Sequence, residues 1–355
     1  MRMRKITVLF TAVSGWPTHA NVDALRNSGN AEYTIIGVDC APNIASKNYV
    51  DYLYKVPRCD DPGYVDALIH ICKCHKVDVI VPLISEDITP LSENRKRIED
   101  AGVKILMSGP DSLLHIANDK LLLQQFLESN GIYVMPRTIK LKLDTLDEDL
   151  RAFGYPETPI AIKMKDACGA IGFKILDEKK ARMVNGLSSR EFRANPFISK
   201  EQLLALPDKD RYMIQEYLPG QECGALCLVD HGRTVYCVTH ENYEMQYATT
   251  TACELVNNEE VNKIVKKVNE LLKLDGNIGF DFKRDANGQI KLMEINPRIS
   301  ATVCLAAKAG LNLVEMGVFH ALGLPIDEDV KPLYGLKLQR VYGTLYSYGG
   351  MPYGR

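Results

Sequence analysis

Asp281, Glu294 and Asn296 are oxygen-bearing side chains whose spacing can bring them to one point. They lie in the stretch from Gly279 to Arg298, where Asn287-Gly288 is a favoured two-residue type I′ hairpin loop, because both positions tolerate positive φ. With that loop as the turn, Phe282 faces Met293 and Phe280 faces Ile295 on one side of the ribbon. Asp281 faces Glu294 on the other side, and Asn296 shares it two residues on. Opposed like charges destabilise a ladder unless something neutralises them. A hard divalent cation does so, since Mg²⁺ takes carboxylate and amide oxygens and bridges to phosphates. The same residues also suit a solvent-facing hairpin whose carboxylates repel weakly in water. A three-residue loop shifts the register, so the rest of the chain must decide.

Two further segments carry chemistry-bearing side chains. Ile160-Ala161-Ile162-Lys163-Met164-Lys165 places lysines at a strand end that leads into a small-residue loop with Gly169 and Gly172. Such a loop lets backbone N–H groups close over a polyphosphate, with lysine supplying positive charge. The alternative is that the glycines only shape a hairpin. Met213-Ile214-Gln215-Glu216-Tyr217-Leu218 ends at Pro219-Gly220, and Glu222 opens the next strand. Main-chain atoms there can read an adenine edge and the carboxylate a ribose, although alone an ordinary turn explains the segment better.

The elements that must position these groups follow from periodicity. Residues 5–117 alternate short apolar strands (Ile6–Thr11, Tyr33–Asp39, Val77–Leu83, Lys104–Ser108) with helices (His19–Ser28, Tyr64–Lys76, Glu86–Ala101), the pattern of a doubly wound parallel sheet. Asp39 ends the second strand where a dinucleotide fold has its ribose acid, but no G-x-G-x-x-G precedes it, which disfavours an NAD-dependent oxidoreductase. Asn118-Asp119-Lys120 opens an amphipathic helix to Asn130. Strands are expected at Tyr133–Leu141, Ile160–Met164, Phe173–Leu176, Tyr212–Leu218, Gly224–Asp230 and Val235–His240, with Glu259–Leu274 helical before the hairpin. Residues 177–210 are polar, readable as an ordered insertion or a mobile lid, with a short helix at Lys200–Leu206. Helices are expected at Ser300–Gly310 and Leu313–Leu322, and strand character at Val341–Tyr346. The division is 1–117, 118–210 (small lobe), 211–330 (large lobe with the metal site) and a tail, 331–355, packing on the catalytic lobe.

Composition sets bounds. With 355 residues, 46% hydrophobic, 25% charged and a net charge of −2, the chain has room for several cores and no long-range attraction for nucleic acid or anionic membrane. No apolar run has the length of a membrane span, and cysteines such as Cys227, Cys237 and Cys304 sit in apolar segments, so a cytoplasmic location is expected. His70-Ile71-Cys72-Lys73-Cys74-His75 falls within one helix, where C-x-C ligands diverge and no second half-site exists, which argues against zinc.

In order and spacing, Asn118-Asp119-Lys120, IKMKDACGAIGF, IQEYLPGQE and GFDF…MEINPR together resemble the ATP-grasp enzymes, closest to the carbamoyl phosphate synthase and carboxylate–amine ligase branch. That resemblance implies an α/β preceding domain, Rossmann-like, before a two-lobed ATP-grasp fold. It implies that Lys120 and Lys163 contact ATP phosphates under a loop containing Gly169 and Gly172. Gln215, Glu216 and the Tyr217–Leu218 backbone would hold adenine, and Glu222 the ribose. Asp281, Glu294 and Asn296 would bind Mg²⁺ (or Mn²⁺), and Arg298 would steady the transferred phosphoryl group. Ser300, Lys337 and Arg340 are looser candidates for a carboxylate substrate, from position and charge. The implied reaction is ATP-dependent coupling of a carboxylate to an amine, an amino acid foremost, through an acyl phosphate. Ammonia ligation, carboxylation and a nucleotide-binding regulator without turnover are the alternatives. Small-molecule substrates and a homodimer are the family's habit. Met164 replaces a frequent proline, and the loop lacks a frequent serine. His240 and Glu244 are weighed as general bases, with a structural role in the sheet favoured.

Overall fold

The computed structural model describes residues 3–15, 18–164, 172–183, 196–246, 249–341, 343–348 and 351–353. Its first sheet is built from β1 (Arg4–Phe10), β2 (Ala31–Asp39), β3 (Tyr52–Lys55), β4 (Val79–Val81) and β5 (Lys104–Ile105), in the order β3-β2-β1-β4-β5. Every pairing in it is parallel, as the strand–helix alternation requires. The central strands are apolar on both faces because helices cover both sides. β3 escapes a periodicity reading: four residues, half exposed, at the sheet edge. The helix expected over Glu86–Ala101 is instead a 3₁₀ turn (Ser85–Asp87) followed by two helices, Ile88–Glu93 and Arg95–Asp100. The break falls at Asn94, whose side-chain amide donates to the Pro90 carbonyl at 3.0 Å and competes with the helical ladder.

The second sheet contains β6 (Thr138–Lys140), β7 (Ile160–Met164), β8 (Lys174–Leu176), β9 (Phe197–Ile198) and β10 (Tyr212–Glu216), ordered β6-β10-β7-β8-β9. The third is a six-stranded antiparallel sheet of β11 (Glu222–Asp230), β12 (Arg233–Gln246), β13 (Thr249–Val256), β14 (Gly276–Arg284), β15 (Ile290–Asn296) and β16 (Lys337–Gln339), ordered β15-β14-β11-β12-β13-β16. One face carries the helix Glu259–Leu272 over β12 and β11, and its stripe Val261, Val265, Val268 and Leu272 shares one apolar cluster with Phe280 and Phe282. The opposite face shares a core with the first sheet: Val8, Phe10 and Val81 join Leu226, Leu255, Val303 and Val314 in one apolar cluster. Buried Glu315 locks that seam, accepting from Tyr33 Oη at 2.6 Å and Asn30 Nδ2 at 2.7 Å. The first sheet is thus fixed against the lobe that carries the hairpin.

In the tail, only the last residue of the strand expected at Val341–Tyr346 is paired among the described residues. β16 lies upstream and extends the third sheet, whereas Val341 is 86% exposed. A separate hairpin, β17 (Tyr346–Tyr348) and β18 (Met351–Tyr353), reaches the helix Ile44–Lys47 beside the first sheet.

Candidate active site

The opening hairpin is built differently from its expected turn, yet keeps its chemistry. Asp285 N–H donates to the Gln289 carbonyl at 2.9 Å, so three residues, Ala286 to Gly288, form the loop. Gly288 takes φ 80° to close it, and Asp285 Oδ1 caps the turn by accepting from Asn287 and Gln289 N–H. This shifts the register by one, and Phe282 opposes Leu292 rather than Met293. A bulge at Met293 then restores the frame, so Phe280 opposes Ile295 and Asp281 opposes Glu294. As a result Met293 lines the cleft instead of joining the apolar face.

That cleft, about 380 Å³, lies between the second and third sheets. Among the residues proposed from the sequence, Lys120, Lys163, Gln215, Glu216, Tyr217, Leu218, Glu222, Asp281, Glu294, Asn296, Arg298 and Ser300 all line it. Lys120 enters from the first turn of Lys120–Ser129, whose N-cap Asp119 accepts from Leu121 and Leu122 N–H at 2.9 and 3.0 Å. Its Nζ sits 3.1 Å from Glu294 Oε2. Asn296 Nδ2 donates to Asp281 Oδ2 at 2.8 Å, while Asn296 Oδ1 accepts from Arg298 Nη2 at 3.0 Å and from Ser85 Oγ, on the β4 loop of the first sheet, at 3.5 Å.

The electrostatics of this floor are those of two carboxylates sharing a site. Burial, then Glu294, pushes the Asp281 carboxyl well above its ordinary range. Burial also opposes ionisation of Glu294, but Lys120, Lys163 and Arg298 outweigh it and hold that carboxyl below its ordinary value. Lys163 is pushed down to about 8, by burial first, with Lys120 and Lys283 adding to it against the pull of Glu294 and Glu222. Half-buried hard oxygen donors side by side and a lysine short of its ordinary proton affinity fit a divalent cation and a polyanion respectively. Asn296 fits less directly, because its amide oxygen is turned to Arg298.

At the other end, Gln215 is 1% exposed and its side-chain amide donates to Thr138 Oγ1 at 2.9 Å, so that amide serves the sheet. Glu222 is paired with Lys283 at 2.9 Å. Gly220 is there for close approach: its N–H donates to the Arg284 carbonyl at 3.0 Å, and a Cβ would meet that oxygen at 2.8 Å. Gly172 stands at φ 71° against Met164; Gly169 lies outside the described residues. Sequence reasoning missed Met293, Ser85, Thr302 and Phe173, whose ring lies 5.8 Å from Lys163 Nζ, whereas the wall of Asn242, Met245, Thr249 and Thr250 falls in the His240–Thr251 stretch, which the sequence offers as a source of specificity without a readable signature. The hydroxyl-rich run Thr249-Thr250-Thr251, in a strand that periodicity overlooked, was the available signal.

Several candidates lie elsewhere. Lys337 does not line the cleft; it is 69% exposed and pairs with Glu254 at 3.4 Å. Arg340 is also outside the lining, its guanidinium bonded to the carbonyls of Thr250 and Ala301. His240 is buried and pushed down to about 4 by burial, against its 2.8 Å bond to Asn242. It is therefore neutral and sits in the sheet, the structural role expected. Glu244 does not line the cleft; it accepts from Gln339 Nε2 at 3.3 Å. Asp39 is occupied by Ser14 and Ala41 N–H at 2.9 and 2.8 Å. In the helix Tyr64–His75, His70 and Cys74 meet at 3.7 Å with no further ligand grouped beside them. Among the described residues the only His–carboxylate group with metal-like spacing is Asp230, Asp275 and His320, and its members are already paired, Asp275 with His320 and Asp230 with Arg233.

A cleft between a mixed five-stranded sheet and an antiparallel six-stranded one, floored by opposed carboxylates and fed by one lysine from the smaller sheet and one from a helix start, is the architecture of the ATP-grasp fold. The chain carries an ATP-grasp domain behind a PylC-like N-terminal domain. Residues 208–344 match the family described as ATP-grasp in the biosynthetic pathway with Ter operon, and residues 19–106 match the PylC-like N-terminal domain. The carbamoyl phosphate synthase large chain of Thermotoga sp. (strain RQ2) is 22% identical over 314 residues, covering 86% of this chain but only 27% of that protein. N5-carboxyaminoimidazole synthetase from Staphylococcus aureus, solved with ADP, aligns with a TM-score of 0.68 at 15% identity, over 94% of this chain and 82% of the other. The L-amino acid ligase from Bacillus licheniformis aligns at 0.62 and 13%, over 94% and 78%. Among the described residues no helix is long and apolar enough to cross a membrane.

Proposed function

We propose that this protein is an ATP- and Mg²⁺-dependent ligase that activates a carboxylate as an acyl phosphate and couples it to an amine, foremost that of an amino acid. The observation that carries the reading is the convergence of Asp281, Glu294, Lys120, Lys163 and Arg298 in one cleft. Asp281 and Glu294 would hold the metal, with the Asn296 oxygen joining if Arg298 releases it. Bound Mg²⁺ would neutralise charge on the nucleotide phosphates. Lys120 and Lys163 contact the phosphates. Glu216 and the Tyr217–Leu218 backbone receive the adenine over Met293, and Glu222 takes the ribose by exchanging Lys283 for it. Gln215 serves by holding the strand.

A carboxylate oxygen attacks the γ-phosphorus and the bond to ADP breaks, while Arg298 steadies the moving phosphoryl group. The amine nitrogen then attacks the acyl carbon, loses a proton, and phosphate departs with the carboxylate's oxygen. Positioning and cationic groups suffice for this chemistry, so no protein nucleophile is required. The S. aureus relative's ADP complex supports a nucleotide in this cleft, and the Bacillus ligase supports an amino acid substrate. The match to carbamoyl phosphate synthase makes bicarbonate the competing carboxylate.

The test screens amino acid pairs, and bicarbonate with ammonia, for ADP and phosphate release. Release that needs Mg²⁺ and is stimulated by a carboxylate–amine pair is expected. Unchanged turnover in Glu294→Ala refutes the metal assignment, and stimulation by bicarbonate alone replaces the ligase reading with carboxylation.

A further inference from the structure

Arg340 was expected to meet a substrate carboxylate directly, but its place in the fold gives it other work. β16 pairs with β13 through Ala252–Gln339, Cys253–Leu338 and Glu254–Lys337. One residue further, Arg340 N–H donates to the Thr251 carbonyl at 2.7 Å. The side chain then turns under the sheet edge: Nε donates to the Thr250 carbonyl at 2.9 Å and Nη2 to the Ala301 carbonyl at 2.7 Å. Thr250 and Ala301 both line the cleft, from segments that otherwise belong to different elements. Arg298 holds the carbonyl two residues earlier in the same loop, Nη1 donating to Ile299 at 2.8 Å. The loop after β15 is thus gripped by two guanidinium groups at alternate carbonyls, Arg298 from within the cleft and Arg340 from behind.

A planar guanidinium suits this task, since its N–H groups diverge in fixed directions and stay charged, whereas one ammonium has no matching fork. The wall so fixed carries Thr249, Thr250, Ser300 and Thr302 beside Arg298, hydroxyl donors next to a cation. We infer that Arg340 is a positioning residue that fixes this wall as the binding surface for the carboxylate substrate, while the nucleotide end stands independently of it. The inference rests on the ligase reading for the identity of the substrate. It also separates Arg340 from Lys337, which points outward to Glu254.

The experiment compares the full chain with Arg340→Ala and Arg340→Lys. With the carboxylate that stimulates wild-type ADP release, Arg340→Ala raises the KM for that carboxylate by about tenfold or more, because misplacing a binding surface by an ångström is enough. The KM for ATP is unchanged, methylguanidinium added to Arg340→Ala restores part of the loss, and Arg340→Lys does not restore it. Hydrogen exchange of the metal-free chain reads the clamp without turnover: amides of 249–252 and 299–303 exchange faster in Arg340→Ala, and those of 213–218 do not. Equal rises in both KM values, or no rise in either, overturn the inference, as does unchanged exchange at the two segments. If no carboxylate stimulates the wild type, the ligase reading fails and the substrate assignment with it, while exchange still decides whether the clamp exists.

Discussion

Replacing Asp281 with asparagine separates what this carboxylate costs the fold from what it does for the site. Asparagine keeps the oxygen that accepts from Asn296 Nδ2 and offers Glu294 a donor in place of a charge. In the wild type, burial and Glu294 raise the Asp281 carboxyl from 3.8 to about 7. At about 1.36 kcal/mol per unit, that shift caps the penalty at roughly 4 kcal/mol. Because the two carboxyls titrate as a pair and the cleft admits water, a gain of about 1–3 kcal/mol for Asp281→Asn is the working expectation. The sign follows from linkage: a carboxyl whose folded pKa is raised contributes stability that is full below its unfolded value and lost as pH rises through the folded one. Metal-free wild type and variant should therefore unfold together near pH 4, and diverge up to about pH 7, with the variant a few degrees higher in Tm. Thermal unfolding in EDTA across this range is the assay. Adding Mg²⁺ and ADP should reverse the ranking, since only the wild type gains by ligand linkage. A variant less stable than wild type at pH 8 in EDTA, or a gap independent of pH, would refute the reasoning.

Other consequences are as direct. Lys163, pushed down to about 8, keeps its charge below that pH and loses it above; nucleotide affinity measured by calorimetry should weaken as pH rises through about 8, and Lys163→Met should abolish that step. Gly220→Ala places a Cβ 2.8 Å from the Arg284 carbonyl oxygen; a loss of about 1–3 kcal/mol in urea unfolding is expected. Phe282, fully buried in the apolar cluster of the large sheet, should cost about 3–5 kcal/mol when cut to alanine. With the strand beside Asp281 loosened, ADP affinity should fall too, and intact affinity would show that the floor does not depend on that packing.

The metal floor was legible because two errors of local geometry cancel. The asparagine–glycine signal names a turn but not its length, and Asp285, by capping the turn, selects three loop residues over two. Nothing local announces the bulge at Met293 that restores the frame; with it, Leu292 and Ile295 both reach the same apolar cluster. The parallel sheet was legible because fully buried strands are continuous apolar runs, whereas β3 and β13 were not, one a short half-exposed edge and the other rich in threonine. Arg340 shows the limit most plainly. Charge and position suggested a ligand, but edge-strand pairing, a contact between distant segments, turns its guanidinium onto backbone carbonyls.

The account stands on carboxylate activation by the γ-phosphate in this cleft. With a stimulating carboxylate labelled in both oxygens with ¹⁸O, its amine partner and Mg²⁺-ATP, mass spectrometry of the released phosphate tests that step. One labelled oxygen in each phosphate is the predicted result; phosphate whose new oxygen comes from water would contradict it.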